Sequence, residues 1–389
     1  MLKRFLDDDL LRIPHIALLL LGISLITAGI YAGYNAPLGL YFQPMGMDFF
    51  CFWSAGRLAL DGNVQDIFDP KALAIFQQHY LNAPEGWSLP WFYPPLLLLF
   101  ISCAFALLPY KAAYFVYLLI SISGYYILAR RFFPSIKPLY VLSFPAFWFN
   151  LLSGQNGLLT AVLLVGGLLA LTRQPTAAGM LLGLMSYKPQ LCFAIPVFLI
   201  MERRWRTILV GTATFLGLVA LSTVVWGPAV WTAFFAGLQT AQDFNQGGNS
   251  IRPESLAHLY GTLKTIGVHH QTAMIANYAF AALAGCAAIR IWLRSDDETV
   301  KYSVVILMSL LLPPHLMYYD FVVTGAVIAW LWPRENLRLA LVILWWAPFM
   351  WPVMAKIGVP LYPLVSAMLL YRLTMAENNN RGTEAQMAR

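Results

Sequence analysis

From Ile13 to Tyr34 the chain reads IPHIALLLLGISLITAGIYAGY, without one Asp, Glu, Lys or Arg. About 20 apolar residues in a helix cross the ~30 Å hydrocarbon core of a bilayer. Inside that core every backbone polar group must be paired within the protein, which leaves only helices and closed barrels. The segment RTILVGTATFLGLVALSTVVW, ending at Trp226, repeats the pattern with a charge only at its first residue. Barrel strands alternate apolar and polar positions, and no such alternation is visible. Composition agrees: 59% of the 389 residues are hydrophobic and 11% are charged, against about 25% charged in soluble domains. The chain therefore reads as an all-α polytopic membrane protein.

The net charge of +7 would suggest an anionic partner for a soluble chain. Here the basic residues gather at helix ends, as in Lys3/Arg4/Arg12, Arg203/Arg204/Arg206 and Arg290/Arg294/Lys301. That is the bias of cytoplasmic loops. No continuous basic surface is left for nucleic acid. The four cysteines, Cys51, Cys103, Cys192 and Cys286, have no metal-ligand spacing; the last three sit in apolar segments as small core residues. The first apolar run resembles a signal peptide in position, but its length and basic flank favour an uncleaved anchor.

Apolar segments fall near 14–34, 94–109, 111–130, 138–152, 155–172, 175–187, 189–201, 206–226, 271–293, 302–317, 319–332, 338–352 and 358–373. Two long stretches lie between them. Residues 35–93 carry Asp48, Asp61, Asp66, Asp69 and Glu85 against Arg57 and Lys71, while 227–270 is balanced. With the N-terminus inside, both stretches fall outside. Thirteen complete crossings would separate two basic termini, so the pattern predicts about 12, with a hairpin over 175–201, tipped outward at Lys188–Pro189, and a net single crossing over 94–131. Residues 1–375 are expected to form a single domain, and the polar stretch 376–389 a disordered cytoplasmic tail.

Within the first outer stretch, MDFFCFWSAGRLALDG (47–62) places an acid ahead of four aromatic residues. Phe49, Phe52, Trp53, Gly56 and Leu60 share one helical stripe, with Ser54, Arg57 and Asp61 opposite. The spacing predicts an amphipathic helix in the membrane interface, its aromatic face in lipid or packed on the bundle. Asp48 stands at its first turn, where free N–H groups favour a carboxylate; a helix cap and a functional acid both fit. Further polar residues map to the same face. FYPPLLLLF (92–100) carries Tyr93, SGQNG (153–157) carries Gln155 and Asn156, and LLPPHLMYYDFVV (311–323) carries His315, Tyr319 and Asp320. MSYKPQL (185–191) sets Lys188 in an apolar run, at about 2.5–3.5 kcal/mol on insertion scales unless it snorkels or is paired. Each has a plainer alternative: snorkelling for Lys188, helix–helix hydrogen bonding for Gln155 and Asn156, a carbonyl bond for His315, a cap for Asp320. Together they suggest a polar pocket beneath an interfacial helix.

The order and spacing of DFFCFWSAGRLALDG…DIFDP, FYPPLLLLF, SGQNGLLTAVLL, AAGMLLGLMSYKPQL…RRW and LLPPHLMYYDFVV resemble glycosyltransferase family 87, over roughly residues 10–375. The resemblance implies a GT-C type bundle in a bacterial inner membrane. It also implies a sugar transferred from a polyprenyl-phosphate donor, with mannose the best-known case, to an envelope glycolipid or glycan. Asp48 then matches the aspartate taken as catalytic base. Arg57, Tyr93, Gln155, Asn156, Lys188, Arg252, His315, Tyr319 and Asp320 become substrate-contact candidates. The chemistry suits these residues: a phosphate leaves readily as an anion, so one base for the acceptor hydroxyl suffices, with a cation such as Lys188, or less well Arg252 or His315, beside the leaving charge. No second acid stands at metal-ligand spacing from Asp48, so neither an obligatory metal nor a cofactor is expected.

The rival readings are a transporter or lipid flippase, an O-antigen polymerase or ligase, and a non-catalytic partner in envelope assembly. Transporters often carry internal repeats, and the 48–100 pattern has no second copy. Polymerases and ligases of that type rely on arginines in late outer loops, where Arg252 stands alone.

Overall fold

A computed structural model describes residues 17–25, 44–134, 138–246, 253–313 and 316–387. Arg252 and His315 lie outside the described residues. The described chain is helical throughout, and its one β-bridge, Leu256 with Met317, is isolated. Among the described residues, three helices are long and apolar enough to cross a membrane: Tyr110–Arg131, Trp205–Trp226 and His270–Arg294. Several other apolar segments form shorter helices, such as Gly157–Ala170, which at 1.5 Å per residue rises about 21 Å. The chain divides into two compact units. The first comprises residues 1–163, 179–188 and 209–250; the second comprises 164–178, 189–208 and 251–389.

The first unit is built around helix α1, Met47–Leu60. Gly46 starts it with φ +66°, a left-handed conformation open to glycine without strain. A Cβ there would sit 2.2 Å from Tyr114 Cε2, and the Tyr110 hydroxyl donates to the Met45 carbonyl beside it. Helix α2, Pro70–Leu81, begins with Pro70 and is capped by Asp69, whose carboxylate accepts from Lys71 N–H at 2.9 Å. The buried Gln77 amide then pins the returning chain through Leu89, donating to its carbonyl at 3.0 Å and accepting from its N–H at 2.8 Å.

Within 94–131, where a net single crossing was expected, the apolar segment 94–109 is a π-helical turn, Leu98–Ser102, followed by the short helix Cys103–Ala106. Pro94, Pro95 and Pro109 bound it, and proline cannot continue a helix through its ring and missing N–H. This segment lies directly on α1: a Cβ on Gly56 would sit 2.3 Å from the Ser102 carbonyl oxygen. Helix α3, Tyr110–Phe132, follows. The expected 138–152 segment is likewise divided, into Pro138–Ser143 and helix α4, Pro145–Ser153, by the proline at 145.

Helix α1 departs from the amphipathic expectation. Phe49, Phe50, Cys51, Phe52, Trp53, Ser54, Ala55 and Gly56 are all buried, including Ser54 on the face assigned to water. Phe49 packs among Phe105, Tyr110, Tyr114 and Tyr117. Phe50 meets Tyr80 and Trp87, and Phe52 meets Trp91 and Tyr93. The polar stripe fails because neighbouring chain closes around the helix, leaving Met47, Asp48 and Arg57 partly exposed and Leu60 exposed. Spacing within one helix carries no information about such neighbours.

In the second unit, helix α5, His270–Arg294, and helix α6, Glu298–Leu311, pack together. Asp297 caps α6 by accepting from Thr299 N–H at 2.8 Å and pairs with Arg334 at 2.7 Å. Glu202 accepts from Lys301 at 2.7 Å and pairs with Arg204 at 3.0 Å. Helix α7, Leu361–Met387, continues past residue 375, where a disordered tail was expected. Asn378 there accepts hydrogen bonds from Arg290, at 3.3 Å, and Arg294, which ties the start of the polar stretch to α5.

Candidate functional site

Asp48 is the second residue of α1, and the capping position before the helix belongs to Gly46. The carboxylate is therefore not a cap. It lies where the helix N-terminus favours negative charge, and it is half-buried within otherwise buried surroundings. Its side-chain neighbours come from the SGQNG turn: Gln155 hydrogen-bonds to it, and Ser153 lies beside it with its hydroxyl donating to the Phe149 carbonyl at 2.7 Å. Burial raises the Asp48 carboxyl to about 6, against an opposing pull from those neighbours and from the Lys188 charge. A base poised near neutrality is well matched to accepting a proton from a hydroxyl.

The turn that supplies these partners is held by its own geometry. Gly154 ends α4 with φ +70°, and a Cβ there would sit 2.5 Å from the Phe49 Cβ. Only glycine lets the turn approach α1 this closely while reversing direction. Gln155 N–H donates to the Asn150 carbonyl at 2.9 Å, and Gln155 C=O accepts from the Tyr117 hydroxyl at 2.6 Å. The neighbouring carbonyl of Leu151 accepts from Tyr114 at 2.5 Å. Two tyrosines one turn apart on α3 thus fix the end of α4 and the turn that follows it.

Asn156 is fully buried, and neither the nitrogen nor the oxygen of its side chain has a hydrogen-bond partner. Its backbone carbonyl accepts from Thr160, both from the N–H at 2.9 Å and from the hydroxyl at 3.0 Å. The Thr160 hydroxyl is also 2.7 Å from the Tyr187 hydroxyl. Since threonine's single proton goes to the Asn156 carbonyl, Tyr187 is the donor of this second bond. Lys188 follows Tyr187 directly and is 1% exposed. A buried ammonium requires compensation, and the Asp48 carboxylate supplies one attraction.

Of the residues singled out in sequence, Asp48, Tyr93, Gln155, Asn156 and Lys188 come together in the first unit. Arg57 does not join them: it lies nine residues along α1 and pairs with Asp61 at 3.3 Å. Tyr319 and Asp320 are buried in the second unit, in the 3-10 segment Tyr318–Val323. Ser153 and Tyr117 were not anticipated. Ser153 is the first residue of the quoted SGQNG motif and was overlooked beside its amides; Tyr117, deep in an apolar run, gave no signal.

No curated protein and no solved structure matches this sequence. The model of glycosyltransferase family 87 matches residues 91–314. That span covers more than half of the chain and includes Tyr93, Gln155, Asn156 and Lys188, while Asp48 precedes it. With its apolar spanning helices and this match, the chain is a membrane protein and an enzyme that belongs to glycosyltransferase family 87.

Proposed function

We propose that the protein transfers a hexose, mannose being the first choice, from a polyprenyl-phosphate donor to a glycolipid or glycan of the cell envelope. The reaction runs on the outer face of a bacterial inner membrane, within a GT-C type bundle of about 12 crossings. The observation that carries this reading is the Asp48 carboxylate, partly accessible and held between amide, hydroxyl and ammonium groups.

In this mechanism Asp48 accepts the proton of an acceptor hydroxyl as that oxygen forms its bond to the sugar's anomeric carbon. The bond from that carbon to the phosphate oxygen breaks, and its electron pair leaves with the phosphate. Direct displacement inverts the anomeric centre. The departing oxygen takes negative charge, which a cation beside it stabilises; Lys188 fills that role. The unpartnered amide of Asn156 offers both a donor and an acceptor, the complement of a sugar hydroxyl, and buried polar groups left unpaired point to a missing partner.

The test uses purified protein in lipid nanodiscs with radiolabelled polyprenyl-phosphate mannose and envelope lipid extract. Wild type should transfer label, and Asp48→Asn, with thermal stability at least equal, should not. Equal transfer by both would remove Asp48 from the mechanism.

A further inference from the structure

The Gln155 side chain has one acceptor oxygen and one nitrogen with two protons. Its oxygen is occupied twice, by the backbone N–H of Asn156 at 3.1 Å and by the Tyr93 hydroxyl at 3.3 Å. Turning the amide over would set its NH2 group against the Asn156 N–H donor, a repulsive arrangement, and would break the Asn156 bond. The orientation is therefore determined, and the nitrogen is the end available to the Asp48 carboxylate. The backbone of Gln155 is fixed on both sides as well, by Asn150 and Tyr117.

Tyr93 is positioned with equal care. Its ring meets Phe52 edge-on at 5.4 Å and Trp91 at 5.5 Å, and the Trp91 indole N–H donates to the Tyr93 carbonyl at 2.6 Å. Phe52 is one helical turn beyond Asp48 on α1. The contacts form a closed circuit: α1 carries both Asp48 and Phe52, Phe52 orients Tyr93, Tyr93 anchors Gln155, and Gln155 returns to Asp48.

We infer that Tyr93 and Gln155 are positioning residues for Asp48, acting through its carboxylate rather than on the substrate. This rests on the proposed role of Asp48 as base. The groups facing Asp48 are Cys51 from α1, Ser153 and Gln155 from the turn, Tyr117 from α3 and Lys188 from the 185–188 segment. Among these, Gln155 alone has its amide oxygen fixed by Tyr93. Loss of the Tyr93 hydroxyl removes one of the two bonds on the amide oxygen and leaves the Asn156 N–H alone to hold it; the amide keeps its orientation but is held less tightly, which weakens its donation to the carboxylate and favours the protonated acid.

The experiment compares wild type, Tyr93→Phe, Gln155→Leu and the double variant. Tyr93→Phe should lower kcat about tenfold with KM for the donor unchanged, and shift the acid limb of the pH–rate profile upward. Gln155→Leu should have a larger effect, and the double variant should lose little more, since both act along one path. A second readout needs no substrate: the infrared carboxyl band of Asp48, isolated by subtracting the Asp48→Asn spectrum, should titrate at higher pH in Tyr93→Phe. This readout separates failure of the positioning role from failure of the donor assignment. An unmoved carboxyl titration would overturn the inference, as would a raised KM at constant kcat.

Discussion

The Tyr117 hydroxyl donates to the backbone carbonyl of Gln155 at 2.6 Å, joining a helix long and apolar enough to cross a membrane to the turn that hydrogen-bonds Asp48. The residues that contact the carboxylate are thereby tied to a rigid element. A catalytic geometry needs that support, since small displacements of a reacting group lower rate steeply.

Asp48→Asn should abolish transfer and also stabilise the protein. Burial raises the carboxyl from 3.8 to about 6, so the charged form is disfavoured in the folded state. This instability is fully present above about pH 6 and is relieved progressively as pH falls from there to 3.8. At 1.36 kcal/mol per unit the effect is at most roughly 3 kcal/mol at pH 8, and less after solvent screening of a half-buried group. Thermal unfolding in nanodiscs at pH 8 and pH 5 checks this, with the Tm advantage of the variant expected to be about twice as large at pH 8 as at pH 5.

The pH dependence of kcat/KM should fall tenfold per unit below about 6, where Asp48 becomes protonated. Lys188 opposes that protonation, so Lys188→Met should move the limb upward and lower turnover by about 10²-fold. Lys188→Arg should keep the limb near its wild-type position. Transfer assays across pH 4.5–8.5 separate the two.

Gly154→Ala should disable the site without altering a polar group. Its φ of +70° disfavours any side chain, by about 1–2 kcal/mol. The added Cβ would meet the Phe49 Cβ at 2.5 Å, which adds overpacking of about 1–3 kcal/mol. A lowered Tm together with loss of transfer is expected; wild-type stability would contradict the close approach of the turn to α1.

Tyr187→Phe should destabilise the protein by about 1–2 kcal/mol, the usual effect of leaving a buried hydroxyl without its partner. Thr160→Val, made with and without it, completes a double-mutant cycle. A coupling energy above 0.5 kcal/mol is expected from their 2.7 Å contact, because neighbouring mutations in one bond are not additive.

The sequence by itself determined the helical class and the membrane setting, because hydrocarbon thickness sets a length that can be counted along the chain. It also marked Asp48, Gln155, Asn156 and Lys188, since polar residues in so apolar a chain stand out. Tertiary structure decided what surrounds them. It turned α1 from an interfacial stripe into a buried helix and placed Arg57 beside Asp61. It also brought Ser153 and Gln155 to Asp48 and aimed the Gln155 amide through Tyr93. The physical reason is range: hydropathy and helical periodicity act over a few turns, whereas the Gln155–Tyr93 contact joins residues 62 positions apart. Only packing brings such residues within hydrogen-bond distance.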